Sequence, residues 1–74
     1  MKTILTKHSD DKAAHIIFIP ETLSEQKALN EGNERVITVY SARAVQQKFP
    51  DRKVMIAEPL EDEQHHYLCY LYAS

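Results

Sequence analysis

Apolar residues along this chain fall into short runs separated by polar turns, a pattern that is typical of β-strands. The run from Ile16 to Ile19 contains four consecutive apolar side chains, which indicates a central strand buried on both faces. Pro20 follows and ends that run. Residues 35–40 are largely β-branched or aromatic and are also predicted as a strand. The predicted strands are residues 3–6, at a sheet edge, and residues 14–19, 35–40, 53–57 and 66–72.

The last of these segments alternates in a way that assigns its side chains to two opposite faces. As a strand, it would place Tyr67, Cys69 and Leu71 on one face and Leu68, Tyr70 and Tyr72 on the other. Both faces are apolar or aromatic, which is more than the thin core of a small domain can cover. A competing interpretation is a helix that begins after Pro59. One side of that helix would carry Leu60, Gln64, Leu68 and Leu71. The aromatic alternation favours the strand.

Two helices are indicated by their capping residues. Thr22 and Glu25 have the spacing of a capping box, and the helix that they begin would extend to about Glu31. Gly32 then stands where a left-handed C-terminal cap is expected. Ser41 is predicted to cap a second helix, from residue 42 to residue 48 or 49. The buried face of that helix would contain Ala42, Val45 and Phe49.

These elements predict a single α+β domain over residues 1–74, in the order β-β-α-β-α-β-β. The sheet would be small, mixed or mainly antiparallel, with four to five strands and two short helices. Residues 35–57 could form a βαβ unit, but the intervening helix is short for a parallel crossover.

Composition changes this picture mainly by exclusion. The 74 residues include one cysteine, so an internal disulfide is excluded and a reducing, cytoplasmic environment is expected. The single glycine rules out glycine-rich phosphate-binding loops and the nucleophile elbow of serine hydrolases. No apolar run approaches the ~20 residues of a membrane span. A net charge of −2 disfavours a dedicated nucleic-acid binder. Together these exclusions predict a protein that is not an enzyme and does not bind membranes.

Reactive residue types cluster near the C-terminus, but simpler explanations exist for them. His65, His66 and Cys69, with Glu61 and Asp62 upstream, are types that bind transition metals. Neighbouring residues of a strand point to opposite faces, so His65 and His66 are not expected to share an ion with Cys69. A cysteine paired with a histidine would suit a thiol enzyme, but one flanked by apolar residues is expected to be buried and inert. We therefore predict no metal and no cofactor, and a metal- or thiol-dependent enzyme is the last alternative.

The leading hypothesis is a small non-enzymatic protein–protein interaction module. Such a chain would be a regulator or inhibitor that docks on a larger macromolecule, or on its own copy as a homodimer, as accessory proteins of phages and other mobile elements do. Tyrosines are enriched in interfaces, and acidic loops steer docking onto basic surfaces. The predicted partner-binding residues are Glu61, Asp62, Glu63, Tyr67, Tyr70 and Tyr72.

The alternative hypothesis is nucleic-acid binding through a basic segment. Its candidate residues are Arg43, Lys48, Arg52 and Lys53, which could contact a phosphate backbone. Phe49, the aromatic residue of the predicted helix, is needed for the core, so a platform for base stacking is lacking. A solvated helix face and turn is the simpler interpretation of these charges.

Overall fold

The computed structural model of the chain describes residues 1–8 and 12–73, with the backbone but not the side chains of residues 55–57. This part of the chain forms four strands and two helices in the order β-β-α-α-β-β. The strands are β1 (Lys2–Lys7), β2 (Ala13–Ile19), β3 (Arg52–Pro59) and β4 (His66–Ala73). The helices are α1 (Leu23–Asn30) and α2 (Glu34–Lys48).

The four strands form one antiparallel sheet with the order β1-β2-β4-β3. Ile4 of β1 lies opposite Ile17 of β2, and His15 of β2 lies opposite Leu68 of β4. β1 is therefore an edge strand and β2 a central one, as the sequence pattern predicts. The α+β class and the antiparallel sheet are confirmed, and the competing helix at the C-terminus is wrong.

Residues 35–40 belong to α2, so the predicted third strand, the βαβ unit and the predicted element order are wrong. The side chain of Asn33 caps this helix by accepting a hydrogen bond from the main-chain N–H of Val36 at 3.3 Å. The buried positions of α2 recur at helical spacing and are Ile37, Ser41, Ala44 and Val45. Burial of this face outweighs the β preference of the branched side chains, because such preferences amount to roughly 1 kcal/mol or less per residue.

The earlier start of α2 also changes which of its side chains are buried. Ser41 lies inside the helix and is fully buried, whereas it was predicted as the cap. Ala42 is exposed, contrary to expectation. Val45 is fully buried and Phe49 packs at the margin of the core, as predicted. At 15 residues, α2 is also longer than the short helix expected.

α1 begins and ends as its capping residues predict. The Thr22 side chain accepts a hydrogen bond from the Glu25 N–H at 3.1 Å, and the Glu25 carboxylate accepts one from the Glu21 N–H at 2.8 Å. At the other end, the N–H groups of Gly32 and Asn33 donate to carbonyls of the last turn, at 3.1 and 2.9 Å. This is the Schellman arrangement, and it requires the left-handed φ of 67° that Gly32 adopts.

Both helices contribute to a core that lies on one face of the sheet. Its largest fully buried side chains include Phe18, Ile16 and Val45. Tyr67 packs edge-on against Phe18, with ring centroids 5.2 Å apart. The other face of β2 is only partly covered, and Ile19 is 39% exposed. The prediction that β2 is buried on both faces is therefore wrong.

The molecule measures 33 × 23 × 17 Å along its principal axes, dimensions that suit one sheet covered by one layer of helices. In the described part of the chain, neither helix combines the length and the apolar character needed to cross a membrane.

Candidate functional site: the open face of the sheet

The sheet face opposite the helices, here called the open face, carries a set of apolar and aromatic side chains. The antiparallel register assigns to it Ile4, Ile17, Ile19, Leu68, Tyr70 and Tyr72. Ile4 is 49% exposed, Tyr70 37% and Tyr72 41%. Among the described residues, the helices pack against the other face of the sheet. Apolar side chains concentrated on an uncovered face are a feature of interaction surfaces.

The structure separates the tyrosines that the sequence predicted as contact residues. Tyr70 and Tyr72 lie on the open face, in agreement with the predicted alternation of β4. Tyr67 lies on the core face, is 6% exposed, and its pKa is raised by burial. We therefore correct the predicted contact surface by removing Tyr67 from it. Glu61, Asp62 and Glu63 are exposed in the loop between β3 and β4.

The open face has opposite charges at its two ends. Lys53 lies opposite Tyr72, and Glu58 lies opposite Leu68, so both charged residues share the face of their partners. They are five positions apart and would point to opposite faces in a regular strand. The β-bulge between Val54 and Ile56 inserts an extra residue and brings them to the same face. On β3, the result is a basic end at Lys53 and an acidic end at Glu58; Lys2, opposite Ile19, adds a positive charge at the far edge of the Glu58 end.

A cluster of two histidines and a glutamate lies at the acidic end. Nε2 of His15 is 3.0 Å from Nδ1 of His66, and the two rings are tilted by 38° with centroids 5.0 Å apart. Oε2 of Glu63 is 2.5 Å from the same Nδ1 atom of His66. One ligand-type atom from each residue therefore falls within 4.8 Å of the other two. Within the described residues, these three side chains form the group that could hold a metal ion.

Backbone and side-chain hydrogen bonds hold the loop that carries Glu63. Its main-chain N–H donates to the Leu60 carbonyl at 3.2 Å, and the Leu60 N–H donates to the His66 carbonyl at 2.9 Å. His65 adopts a left-handed φ of 64°, and its Nε2 lies 3.1 Å from Oδ1 of Asn30 at the end of α1. The glutamate is thus presented by a turn attached to both β4 and α1.

The structure does not bring together the group of possible metal ligands that the sequence offered near the C-terminus. Of His65, His66 and Cys69, the structure uses only His66 in the cluster, with His15 from β2 as its neighbour. The pairing of β2 with β4 creates that neighbourhood. The sequence did contain a signal that His15 is partly enclosed: it lies inside the predicted strand 14–19, directly before a run of apolar side chains.

Cys69 does not have the surroundings of a catalytic thiol. It is fully buried, and burial raises its pKa to about 11. The Ser41 hydroxyl acts on this pKa in the opposite direction, with a smaller effect. Ser41 Oγ itself is buried and makes no hydrogen bond of good geometry among the described residues. A thiol with a raised pKa forms little thiolate at neutral pH, so it is a poor nucleophile.

The four basic residues of the nucleic-acid hypothesis are dispersed. Lys48 donates to a main-chain carbonyl of β1 at 2.6 Å, and Arg43 lies 5.5 Å from the centre of a tyrosine ring in its own helix. Arg52 and Lys53 line an open groove of about 570 Å³ between α2 and β3. Because Arg52 and Lys53 are neighbours on β3, their Cα–Cβ bonds point to opposite faces of the sheet. Of the four, the groove brings together Arg52 and Lys53, whereas Arg43 and Lys48, on α2, make their contacts elsewhere.

Comparison with protein families, curated proteins and solved structures finds no significant match to this chain. Its function is therefore inferred from the geometry of the open face.

Proposed function

We propose that this chain is a non-enzymatic, cytoplasmic protein-binding module that works through the open face. The observation that carries the proposal is the set of exposed apolar and aromatic side chains on a sheet face that the helices leave uncovered. Removing such a face from water stabilises a complex by ~25 cal/mol for each Å² of apolar surface, before the costs of association. The burial and raised pKa of Cys69 argue against thiol catalysis, and a single cysteine is typical of proteins in a reducing environment.

The occupant that the geometry favours is a second copy of the chain. The two longer dimensions of the molecule, 33 and 23 Å, set an upper limit of roughly 760 Å² on the projected area of this face. A stable interface of standard size buries ~800 Å² per partner. Two sheets packed face to face would place their side chains in a layer ~10 Å thick, which is the usual spacing of sheet sandwiches.

The charges at the ends of the open face support the same occupant. A two-fold axis relates the same patch on both copies, so a residue on one copy meets a different residue on the other, and the contact occurs twice. If the strands of the two copies run in opposite directions, Lys53 of each copy approaches Glu58 of the other. A two-fold axis parallel to the strands would instead place β3 of each copy over β1 of the other, without this pairing of opposite charges. The face is therefore self-complementary in one orientation.

The experiment is a measurement of molecular mass by light scattering, from micromolar to near-millimolar protein, for the wild type and three variants. We expect the wild type to pass from the 8.6 kDa monomer to a species of twice that mass. Lys53→Glu and Glu58→Lys should each weaken the dimer by roughly tenfold or more, because symmetry disturbs two contacts at once. The double variant should regain most of the lost affinity, since it restores both pairs in exchanged form.

Arg35→Glu is the control matched to Lys53→Glu, because it makes the same change in net charge at an exposed position on α2. It should dimerise like the wild type. A wild type that remains monomeric at near-millimolar concentration would overturn self-association. A dimer that the double variant fails to restore would overturn the antiparallel arrangement. If the wild type is monomeric, the open face would instead bind a larger macromolecule, as expected of a regulator or inhibitor.

A further inference from the structure

We propose that His15, His66 and Glu63 form a binding site for a divalent transition-metal ion of the zinc class. The two histidines lie on the open face, so this site adjoins the surface proposed for self-association, but the two proposals are tested by different variants. Its three side chains come from β2, β4 and the loop between β3 and β4, so the folded sheet is required to assemble it.

The first argument is the convergence of donor atoms on one point. Nδ1 of His66 faces Nε2 of His15 at 3.0 Å and Oε2 of Glu63 at 2.5 Å. An imidazole nitrogen carries either a proton or a lone pair, so one atom cannot donate fully to two neighbours. A single proton would have to be shared between two acceptors. A cation at the centre would instead be bound by all three atoms, each through a lone pair.

The second argument is that the distances are close to those of a metal centre. Two bonds of ~2.05 Å at a tetrahedral angle separate the ligand atoms by roughly 3.3 Å. The two histidine nitrogens need to open by only a few tenths of an ångström from 3.0 Å. The Glu63 oxygen must move further, but its side chain is 56% exposed and belongs to a loop. Small rotations of the side chains are sufficient, and the sheet need not change.

The choice of ion follows from the ligands. Two imidazoles and one carboxylate suit Zn²⁺ and its neighbours Co²⁺, Ni²⁺ and Cu²⁺. Mg²⁺ and Ca²⁺ prefer oxygen ligands and are not expected to bind tightly. Three protein ligands leave a fourth tetrahedral position open to water or to a ligand from another molecule.

The backbone around the site holds the ligands near their binding positions. His15 and His66 lie diagonally across the central strand pair, because His15 is opposite Leu68 and Ile17 is opposite His66. The loop that carries Glu63 is attached to α1 by contacts of its residues with Asn30, at 3.1 and 3.3 Å. Ligands that are preorganised in this way lose less entropy when an ion binds.

The test is a calorimetric titration of chelator-treated protein with zinc chloride, followed by a titration with magnesium chloride. We expect one zinc ion per chain and no measurable binding of magnesium. His15→Gln, His66→Gln and Glu63→Gln should each weaken zinc binding by at least the 10–100-fold that changes to outer-shell partners alone cause. Far-UV circular dichroism of each variant establishes that the sheet is retained.

Matched controls are available for each ligand type. His8→Gln removes a histidine and Glu61→Gln removes a glutamate, both at exposed positions outside the cluster. Both should bind zinc like the wild type, and so should Cys69→Ala. Cobalt gives a second measurement, because its visible absorption is strong only in a four-coordinate site. The visible absorption of bound cobalt should be lost in the three ligand variants and retained in the control variants.

Three outcomes would overturn the site. The first is a wild-type chain that takes up no zinc. The second is zinc binding that survives the His15 and His66 substitutions, and the third is binding that depends on His8 or Cys69 instead. The Lys53→Glu variant, which changes the opposite end of β3, should still bind zinc, so a failure of self-association does not affect this result.

Discussion

Nε2 of His15 lies 3.0 Å from Nδ1 of His66, although the two residues are 51 positions apart in the chain. Antiparallel pairing of β2 with β4 places them side by side on the open face. The unfolded chain has no such arrangement, so an ion bound there stabilises the folded state selectively.

The first prediction is a zinc-dependent gain in stability. At free zinc a hundred times the dissociation constant, the free energy of unfolding should rise by ~2.7 kcal/mol. Urea denaturation with and without zinc measures this gain. His66→Gln should show none of it, whereas His8→Gln should show all of it. Equal gains in both variants would contradict the assignment of the ligands.

The second prediction concerns the junction between the two helices. Gly32 has a φ of 67°, and a Cβ added there would meet no atom within 4 Å. The cost of Gly32→Ala is therefore conformational, and we expect a loss of ~1–2 kcal/mol in the free energy of unfolding. Gly32→Asn should cost less, because asparagine tolerates the left-handed region. Urea denaturation of the two variants would contradict this explanation if asparagine were the worse substitute.

The third prediction is an acid-sensitive contribution from Glu25. Its carboxylate lies 2.8 Å from the amino group of Met1, and that hydrogen bond, with one from the Glu21 N–H, lowers the pKa of Glu25 to about 2 from 4.5. The contribution is complete above pH 4.5 and is lost as the pH falls towards 2, because only the unfolded state retains the ordinary pKa. Urea midpoints across this range should fall more steeply for the wild type than for Glu25→Gln.

Two further comparisons isolate this ion pair. Glu61→Gln, in an exposed loop, should follow the wild type. At the alkaline end, the pKa of the Met1 amino group is raised above 8.0 by Glu25, so its contribution is present below pH 8 and is lost at higher pH. Acetylation of the amino group should abolish the alkaline effect and reduce the acid effect, to which the Glu21 N–H also contributes. Identical acid profiles for the wild type and Glu25→Gln would show that the ion pair does not contribute.

The fourth prediction concerns Cys69. Because burial raises its pKa to about 11, native protein should react slowly with a thiol reagent at neutral pH and rapidly after denaturation. Between pH 9 and 11 the thiol ionises in the unfolded state first, so the stability of the folded state should fall as the pH rises. Cys69→Ala should lack this part of the alkaline slope. Fast labelling of the native protein would revive the hypothesis of a thiol-dependent enzyme.

Local sequence signals predicted several elements correctly. The spacing of Thr22 and Glu25, and Gly32 after them, located α1, because capping depends on residues within one or two helical turns. The alternation of β4 predicted that Tyr70 and Tyr72 share a face, because neighbouring strand residues always point to opposite sides. His65 and His66 are also separated, but for another reason: His65 lies before β4, in a turn with a left-handed φ of 64°.

Residues 35–40 show where local signals mislead. Their β-branched side chains favour a strand, but Asn33 begins a helix and Ile37 and Val45 are buried at helical spacing against the sheet. Packing of that face decides the structure, because tertiary burial is worth several times the local preference.

By itself, the sequence determined the α+β class, α1, the positions of the other four strands and the two faces of β4, since each follows from spacing over a few residues. The tertiary structure alone decided that α2 replaces the predicted third strand and that Tyr67 is buried. It also brought His15 and Glu63 to His66, and through the β-bulge it brought Lys53 and Glu58 to one face. These relationships depend on strand register, and register is set by pairing between distant segments that no local pattern contains.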